Sequence, residues 1–317
     1  MRRLLAVFVF LVGCNGDPDD TTRSEFLHNP VISTRGLADP AVISHDGSYF
    51  LYPTGDSEGF DVYVSTDLRE WRKGPRVLQL DGPNVWAPDV FLDPTDGQFY
   101  LYYSANFRVG AAVARDPQGP FEDQGILIED AIDPHMFRDD DGQYYLYYEH
   151  LTDPVPTIRH LSIPTGRIFV QPMASPLELG GAPRLLLEPD QPWERGWFRI
   201  VEGPWMLKRA GVYYLMYSGN AAFSADYGIG YATASTPFGP FKKHRMNPIA
   251  AKGAGVFGPG HHSVVAAPGG ELWLVYHQKA SSNWAWDRYI CIDRLKWDDA
   301  GELHMSPTPM RRIERPE

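Results

Sequence analysis

Alternating apolar and polar positions recur along this chain in short runs that are rich in tyrosine. Alternation with a period of two is the pattern of a half-buried β-strand, and aromatic residues favour strands further. Helical periodicity is scarce, so the pattern predicts a protein built from many short strands. The five aromatic runs occupy residues 48–52, 98–103, 143–148, 212–217 and 271–276.

Each aromatic run follows, after about ten to twelve residues, a short element that contains proline or glycine. A turn such as Asp96-Gly97 or Asp141-Gly142 separates element and run, which is typical of a β-hairpin. Five copies of this repeat predict an all-β fold, a five-bladed β-propeller. The elements are Ala38-Asp39-Pro40, Trp86-Ala87-Pro88-Asp89, Ile132-Asp133-Pro134, Glu202-Gly203-Pro204 and Gly258-Pro259-Gly260-His261.

Three of these elements carry the acids Asp39, Asp133 and Glu202. The first strand of each propeller blade lines the central axis, so we expect the three side chains to meet at one mouth of it. Glu202 lies between apolar residues, and poor solvation raises the pKa of a carboxyl group, which suits a general acid. Considered singly, an Asp-Pro step can simply cap a turn. The three acids together favour a catalytic site.

Composition agrees with one large domain, which we expect to span residues 26–317. The chain has 317 residues, 43% of them hydrophobic, and its 30 glycines and 28 prolines favour many turns. The formal net charge of −11 argues against binding to nucleic acid or to anionic lipid through the folded part. It is compatible with a neutral substrate.

The N-terminal residues have the pattern of a signal peptide. Residues 1–13 begin with two arginines and continue with an apolar run too short to span a membrane. Leu11-Val12-Gly13-Cys14 resembles a bacterial lipobox, which implies lipidation of Cys14; an ordinary secretory peptide cut nearby is the alternative. Residues 14–25 read as a flexible tether. We therefore expect a protein of the cell envelope, at the outer membrane or cell surface, that meets the membrane only through a lipid anchor. Cys291 is expected to be an unpaired core thiol.

The five elements, in the same order and over almost the whole mature chain, resemble those of family 43 glycoside hydrolases. The resemblance implies a five-bladed propeller that hydrolyses α-L-arabinofuranosyl or β-xylosyl linkages with inversion. It implies that Asp39 is the general base, Glu202 the general acid and Asp133 the third carboxylate, which raises the pKa of the acid and orients it. Inverting hydrolysis needs one ionised and one protonated carboxyl group about 6.5–9.5 Å apart.

The resemblance also suggests residues that bind the sugar. Trp86 matches an aromatic residue beside the sugar, His261 matches a residue that lines the pocket, and Arg288 could bond a sugar hydroxyl. Each has a structural alternative, either packing within a blade or a solvated position at its edge. Aromatic residues that could stack on sugars at the rim are Trp197, Phe223, Trp284 and Trp286.

No cofactor is required for this chemistry. Many relatives hold a calcium ion in the central channel near a histidine of the last blade, and His261 or His277 could serve here. Calcium prefers oxygen ligands, so a histidine without a metal is the alternative.

The sequence therefore predicts an exo-acting glycosidase that releases α-L-arabinofuranose, or β-D-xylose, from plant-type polysaccharide or oligosaccharides. An endo-α-L-arabinanase of the same fold is one alternative. A carbohydrate-binding propeller without turnover is another, and a missing acid would be its signature.

Overall fold

The computed structural model describes residues 28–82, 84–156, 162–196 and 198–311. Within these ranges the chain forms strands and one short 3-10 helix, Pro192–Glu194, and no α-helix. No helix in these ranges has the length and apolar character needed to cross a membrane. The predicted signal peptide and tether, with Cys14, lie outside the described residues.

The strands form five antiparallel blades in chain order. Blade 1 contains β1 (Ala38–His45), β2 (Ser48–Thr54), β3 (Gly59–Ser65) and β4 (Arg72–Gln79). Blade 2 contains β5 (Val85–Leu92), β6 (Phe99–Ala105), β7 (Arg108–Ala114) and β8 (Glu122–Ile128). Blade 3 contains β9 (Ala131–Arg138), β10 (Tyr144–Pro156), β11 (Ser162–Ser175), β12 (Glu178–Leu179) and β13 (Arg184–Leu187). Blade 4 contains β14 (Arg199–Arg209), β15 (Val212–Gly219), β16 (Gly228–Ala234) and β17 (Lys242–Lys243). Blade 5 contains β18 (Gly260–Ala266), β19 (Leu272–Lys279), β20 (Arg288–Trp297) and β21 (Leu303–Met305).

The innermost strands form a closed ring around the axis. β1 contacts β5, β5 contacts β9, β9 contacts β14, β14 contacts β18, and β18 contacts β1. The predicted five-bladed propeller is confirmed. Blades 3 and 4 are joined further, because β11 pairs in parallel with β14 at Thr165–Arg199 and Gly166–Ile200.

The aromatic runs supply both the cores between blades and a repeated polar contact. Because side chains alternate along a strand, each of the first four runs packs tyrosines against both neighbouring blades. A fully buried tyrosine must still satisfy its hydroxyl, and three of them donate to a proline carbonyl of the next blade. These bonds run from Tyr52 to Pro117, from Tyr102 to Pro176 and from Tyr147 to Pro237, at 2.6, 2.8 and 3.0 Å.

The segment before β1 closes the ring against the last blade. The Val31 amide donates to the Ile290 carbonyl and the Gly36 amide to the Arg288 carbonyl, both at 2.9 Å. The Asn29 side chain is buried and accepts a 2.8 Å bond from the Ile292 amide. The first described residues therefore hold the edge of β20 from which Arg288 projects. Cys291, on the same strand, is buried and unpaired, as expected.

A bulge at the same place in every innermost strand positions the site. The strand register shifts there, and one residue of each bulge takes a positive φ. Such a conformation is uncommon outside glycine and re-aims the side chain. The five residues are Asp39 (46°), Ala87 (45°), Asp133 (55°), Gly203 (55°) and His261 (43°). Glu202 thus lies one residue before the position that Asp39 and Asp133 share, so the three acids do not occupy the same position of the repeat.

Candidate active site

The bulges bring the three predicted acids together at the axis. His261 Nδ1 lies 3.5 Å from Asp39 Oδ1 and 3.6 Å from Asp133 Oδ2. Carboxyl oxygens of Asp133 and Glu202 lie within 4.8 Å of each other. Asp39 and Asp133 are buried, and burial lowers the pKa of His261. The cluster therefore contains several carboxyl groups in a site with little water.

Asp39 is held in its ionised form. Arg288 Nη1 lies 3.0 Å from Asp39 Oδ1, and His277 Nδ1 lies 3.3 Å from the same oxygen. Burial acts to raise the pKa of Asp39, but the charge of Arg288, with smaller contributions from the histidines, brings that pKa well below its usual range. Arg288 is itself buried, so its charge is poorly screened. An ionised, buried carboxylate is the group a general base requires.

Asp133 contacts the backbone of the strand that carries Glu202. Its Oδ2 accepts a 3.1 Å bond from the Gly203 amide, and its own amide donates to Ser104 Oγ at 2.9 Å. Burial, then the charges of Glu202 and Asp39, raise the pKa of Asp133 well above its usual range. Asp133 thereby fixes the peptide next to Glu202.

Glu202 has the surroundings of a general acid. Its pKa is raised to about 7. Burial has the largest effect and the charge of Asp39 acts in the same direction, while the Tyr227 hydroxyl, which donates to Oε1 at 2.5 Å, acts to lower the pKa. The sequence predicted that Asp133 would supply this repulsion. The repulsion between these two groups appears as a raised pKa of Asp133, and for Glu202 desolvation comes first, with the charge of Asp39 adding to it.

A fourth carboxyl group, which sequence reasoning missed, belongs to Glu149 on β10. Its side chain is 0% exposed, and an oxygen of it lies within 4.8 Å of Asp133 and Glu202 oxygens. Glu149 lies on the same side of β10 as the buried residues Tyr145 and Tyr147. An acid at a strand position where the alternation predicts an apolar residue was the signal that could have identified it.

Of the other predicted site residues, two lie in the carboxyl cluster and the described aromatic residues pack against other rings. His261 and Arg288 lie in the carboxyl cluster. Trp86 is partly buried and packs edge-on against Phe107 with ring centroids 5.4 Å apart. Phe223 packs against Trp284 and Trp286 at 5.3 Å and against Phe198 at 5.2 Å. We call Phe198, Phe223, Trp284 and Trp286 the rim cluster. Trp197 lies outside the described residues.

The surroundings of His261 do not suit a calcium ion. Asp39 and Asp133 offer oxygen atoms beside this imidazole, but the Arg288 guanidinium already supplies positive charge to Asp39. A divalent cation at this point would be repelled by the guanidinium. The residues around His261 do not fit the ion, and calcium elsewhere in the central channel stays a prediction.

Comparison with known proteins agrees with this geometry. The model of Glycosyl hydrolases family 43 matches residues 27–303. A β-D-galactofuranosidase of Aspergillus niger is 30% identical, over 89% of this chain and 86% of its own length. A xylosidase/arabinosidase of Bacteroides ovatus is 27% identical, over 84% of this chain and 94% of its own. The crystal structure of a thermostable family-43 glycoside hydrolase superposes with a TM-score of 0.80 at 36% identity, covering 91% of this chain and 100% of that one. The chain therefore belongs to glycosyl hydrolase family 43.

Proposed function

We propose that this protein is an inverting, exo-acting glycoside hydrolase that releases α-L-arabinofuranose, or β-D-xylose, from plant-type polysaccharide or oligosaccharides. The observation that carries the proposal is the opposite protonation of two carboxyl groups in one buried cluster. Arg288 keeps Asp39 ionised, while burial keeps Glu202 protonated up to about pH 7. Inversion needs this pair, one group on each side of the sugar.

In the proposed reaction, Asp39 accepts a proton from a water molecule as the water oxygen attacks the anomeric carbon. Glu202 donates its proton to the glycosidic oxygen, and the carbon–oxygen bond breaks with its electron pair on the leaving group. Asp133 orients Glu202 through the Gly203 amide, and Arg288 preserves the charge of Asp39. After the products leave, Asp39 releases its proton to the solvent and Glu202 takes one up from the solvent, which restores both groups.

Exo action is supported by the rim cluster. Its four aromatic rings pack on one another beside the strand of Arg288, and Trp284 and Trp286 remain 57% and 61% exposed. Rings so placed can stack on a sugar and close one side of the mouth. An open cleft on that side would favour an endo-arabinanase instead.

A second candidate substrate is β-D-galactofuranose, since a relative at 30% identity is a β-D-galactofuranosidase. The furanose rings of α-L-arabinofuranose and β-D-galactofuranose have the same configuration, and the latter carries an additional hydroxymethyl group. The same carboxyl pair could therefore act on both, and pocket space beyond the ring would decide.

The proposed location is the cell envelope, with the protein held by a lipid on Cys14. The signal-like sequence of residues 1–13 supports this proposal. Labelling of the expressed protein with a radioactive fatty acid, lost in Cys14→Ala, is the expected result; equal labelling of both proteins would contradict it.

The substrate is tested with the nitrophenyl glycosides of α-L-arabinofuranose, β-D-xylose and β-D-galactofuranose, with arabinan alongside. Release from one glycoside identifies the sugar, and proton NMR of the first product shows whether the anomeric configuration is inverted. Shortened arabinan without release from any glycoside would replace exo with endo action. Binding of oligosaccharides without turnover of any of them would contradict the proposal.

A further inference from the structure

Glu149 has no part in the reaction just described, although it lies among the reacting groups. It reaches from β10 across the interface between blades 3 and 4, on the side of Tyr145 and Tyr147, toward Glu202 on β14. No N–H or hydroxyl group of the described residues donates to either of its oxygens. A fully buried carboxylate without a donor is strongly disfavoured, so this group is neutral.

The space for Glu149 is built into the fold. Glu149 lies opposite Ile168 on β11, and Gly166, two residues before Ile168 on the same side of that strand, has no side chain. A Cβ at Gly166 would lie 2.0 Å from Glu149 Oε1. β11 pairs with β14 at this glycine, whose partner Ile200 lies two residues before Glu202. The carboxyl group of Glu149 therefore occupies a gap directed at the general acid.

The charged and titratable groups that face Glu149 are Asp133 from β9 and Glu202 from β14. Two buried carboxyl groups with oxygens within 4.8 Å of each other cannot both be ionised, so at least one of them carries a proton. Burial, then the charges of Glu202 and Asp133, raise the pKa of Glu149 well above its usual range. Glu202 Oε1 already accepts from the Tyr227 hydroxyl, whereas Glu149 has no donor, so the proton between the two glutamates belongs to Glu149.

We propose that Glu149 is a positioning residue, whose neutral carboxyl donates its O–H to Glu202 and stabilises the carboxylate that Glu202 becomes. The inference rests on the proposed function. When Glu202 gives its proton to the glycosidic oxygen, Glu149 keeps its own proton, and their hydrogen bond becomes charge-assisted. The conjugate base of the acid is then stabilised in the transition state, where it matters for rate.

The test compares Glu149→Gln, which keeps a donor, with Glu149→Met, which has a similar volume and no donor. For Glu149→Met we expect kcat/KM to fall about 10- to 100-fold on substrates with poor leaving groups, with little change on activated aryl glycosides. The basic limb of its pH profile should move to higher pH, because loss of the donor raises the pKa of Glu202. Glu149→Gln should stay within about threefold of the wild type, with the basic limb in place.

Gly166→Ala gives a second route to the same state, since the added methyl group displaces the Glu149 carboxyl. It should resemble Glu149→Met in both leaving-group dependence and pH profile. Glu194→Gln, which alters another fully buried glutamate away from the cluster, is the matched control and should leave the pH profile unchanged. An unchanged pH profile and leaving-group dependence in Glu149→Met would overturn the inference, and so would a Gln variant as impaired as the Met variant.

Infrared spectroscopy tests the neutral carboxyl without any turnover, which separates this inference from the proposed function. At about pH 8 the wild type should show the carbonyl stretch of protonated carboxylic acids, weaker by the contribution of one carboxyl group in Glu149→Gln and unchanged in Glu194→Gln. A band of equal intensity in the wild type and in Glu149→Gln would show that Glu149 is ionised and would overturn the inference. Failure to hydrolyse any glycoside, with the band weaker in Glu149→Gln, would count against the proposed function alone.

Discussion

Glu194, beside blade 4, and Glu149, at the axis, are both fully buried, but their carboxyl groups meet different surroundings. Glu194 lies in the 3-10 helix Pro192–Glu194 and receives hydrogen bonds at both oxygens. Oε1 accepts from the Tyr217 hydroxyl at 2.7 Å. Oε2 accepts from the Lys243 ammonium at 2.7 Å and from the amides of Asp190 and Gln191 at 2.8 Å. Glu149 receives no such bond from the described residues.

The difference shows how one residue type serves stability in one region and chemistry in another. Around Glu194 the fold supplies enough donors to hold a charge, so the group ties the chain ahead of β14 to blade 4. At the axis the donors are too few for the carboxyl groups gathered there, and Glu149 and Glu202 keep their protons instead. The functional result is a carboxyl group that stays protonated at neutral pH. The folded protein is less stable as a consequence.

The largest expected effect comes from removing the base. Asp39→Asn should lower kcat/KM about 10⁴-fold on every substrate, because a better leaving group does not replace the group that activates water. The measurement is the initial rate on activated and natural substrates, with circular dichroism to show that the propeller remains folded. Substantial hydrolysis of an activated glycoside by the folded variant would contradict the role of Asp39.

Removal of the acid should be selective. Glu202→Gln is expected to lower kcat/KM about 10³-fold on substrates with poor leaving groups and far less on dinitrophenyl glycosides, which need no protonation. A plot of log kcat/KM against the pKa of the leaving group should therefore be steeper for the variant. Equal loss on all leaving groups would assign Glu202 another role.

The structural glutamate should show the reverse behaviour. Glu194→Gln is expected to destabilise the protein by about 2–4 kcal/mol, since Lys243 loses a buried partner while keeping Asp190. Its kcat on a small substrate should match the wild type at temperatures where both are folded. Urea denaturation and initial rates measure the two quantities. A large loss of kcat without loss of stability would contradict the comparison.

Glu202, in the active site, should instead lower the stability of the folded protein. The pKa of Glu202 is raised in the folded state, so the folded protein binds more protons than the unfolded chain, and stability falls as pH rises from about 4.5 through 7. Above that range Glu202→Gln should be more stable than the wild type by about 1–3 kcal/mol. Denaturation at about pH 5 and pH 8 checks the sign, since the gain should be small at the lower pH.

The smallest effect belongs to the rim cluster. Trp286→Ala removes an exposed ring that lies under the Arg288 guanidinium, 5.1 Å from its centroid. We expect KM for an oligosaccharide to rise about 3- to 10-fold with kcat nearly unchanged, as loss of one stacking contact implies. Phe107→Ala, on the Trp86 side of the mouth, is the matched control. An equal effect on a nitrophenyl monosaccharide would show that the ring does not contact a second sugar.

The sequence was sufficient to predict the propeller because every blade repeats the same pattern. Tyr52, Tyr102 and Tyr147 recur at the same place in the second strands, where each bonds the next blade. Asp39 and Asp133 were found for the same reason, since both occupy the bulge of an innermost strand. Because the pattern repeats regularly, the fold and part of the site can be predicted directly from the sequence.

The rest of the site depends on departures from that repetition. Glu202 precedes its bulge residue, Gly203, and reaches the axis by a different geometry from the two aspartates. Glu149 lies on a second strand and faces the acid only because Gly166, on the next strand, leaves the space. Such contacts arise from packing between blades, which strand periodicity does not encode.

The most direct test of the account is the pH dependence of kcat/KM on an oligosaccharide, whose leaving group needs protonation, compared between wild type and Glu202→Gln. We predict a basic limb near the pKa of about 7 for Glu202 and activity retained to low pH by ionised Asp39 in the wild type. The variant should lose the basic limb and keep the acidic one. A basic limb that survives the substitution would show that another group titrates there and would contradict Glu202 as the acid.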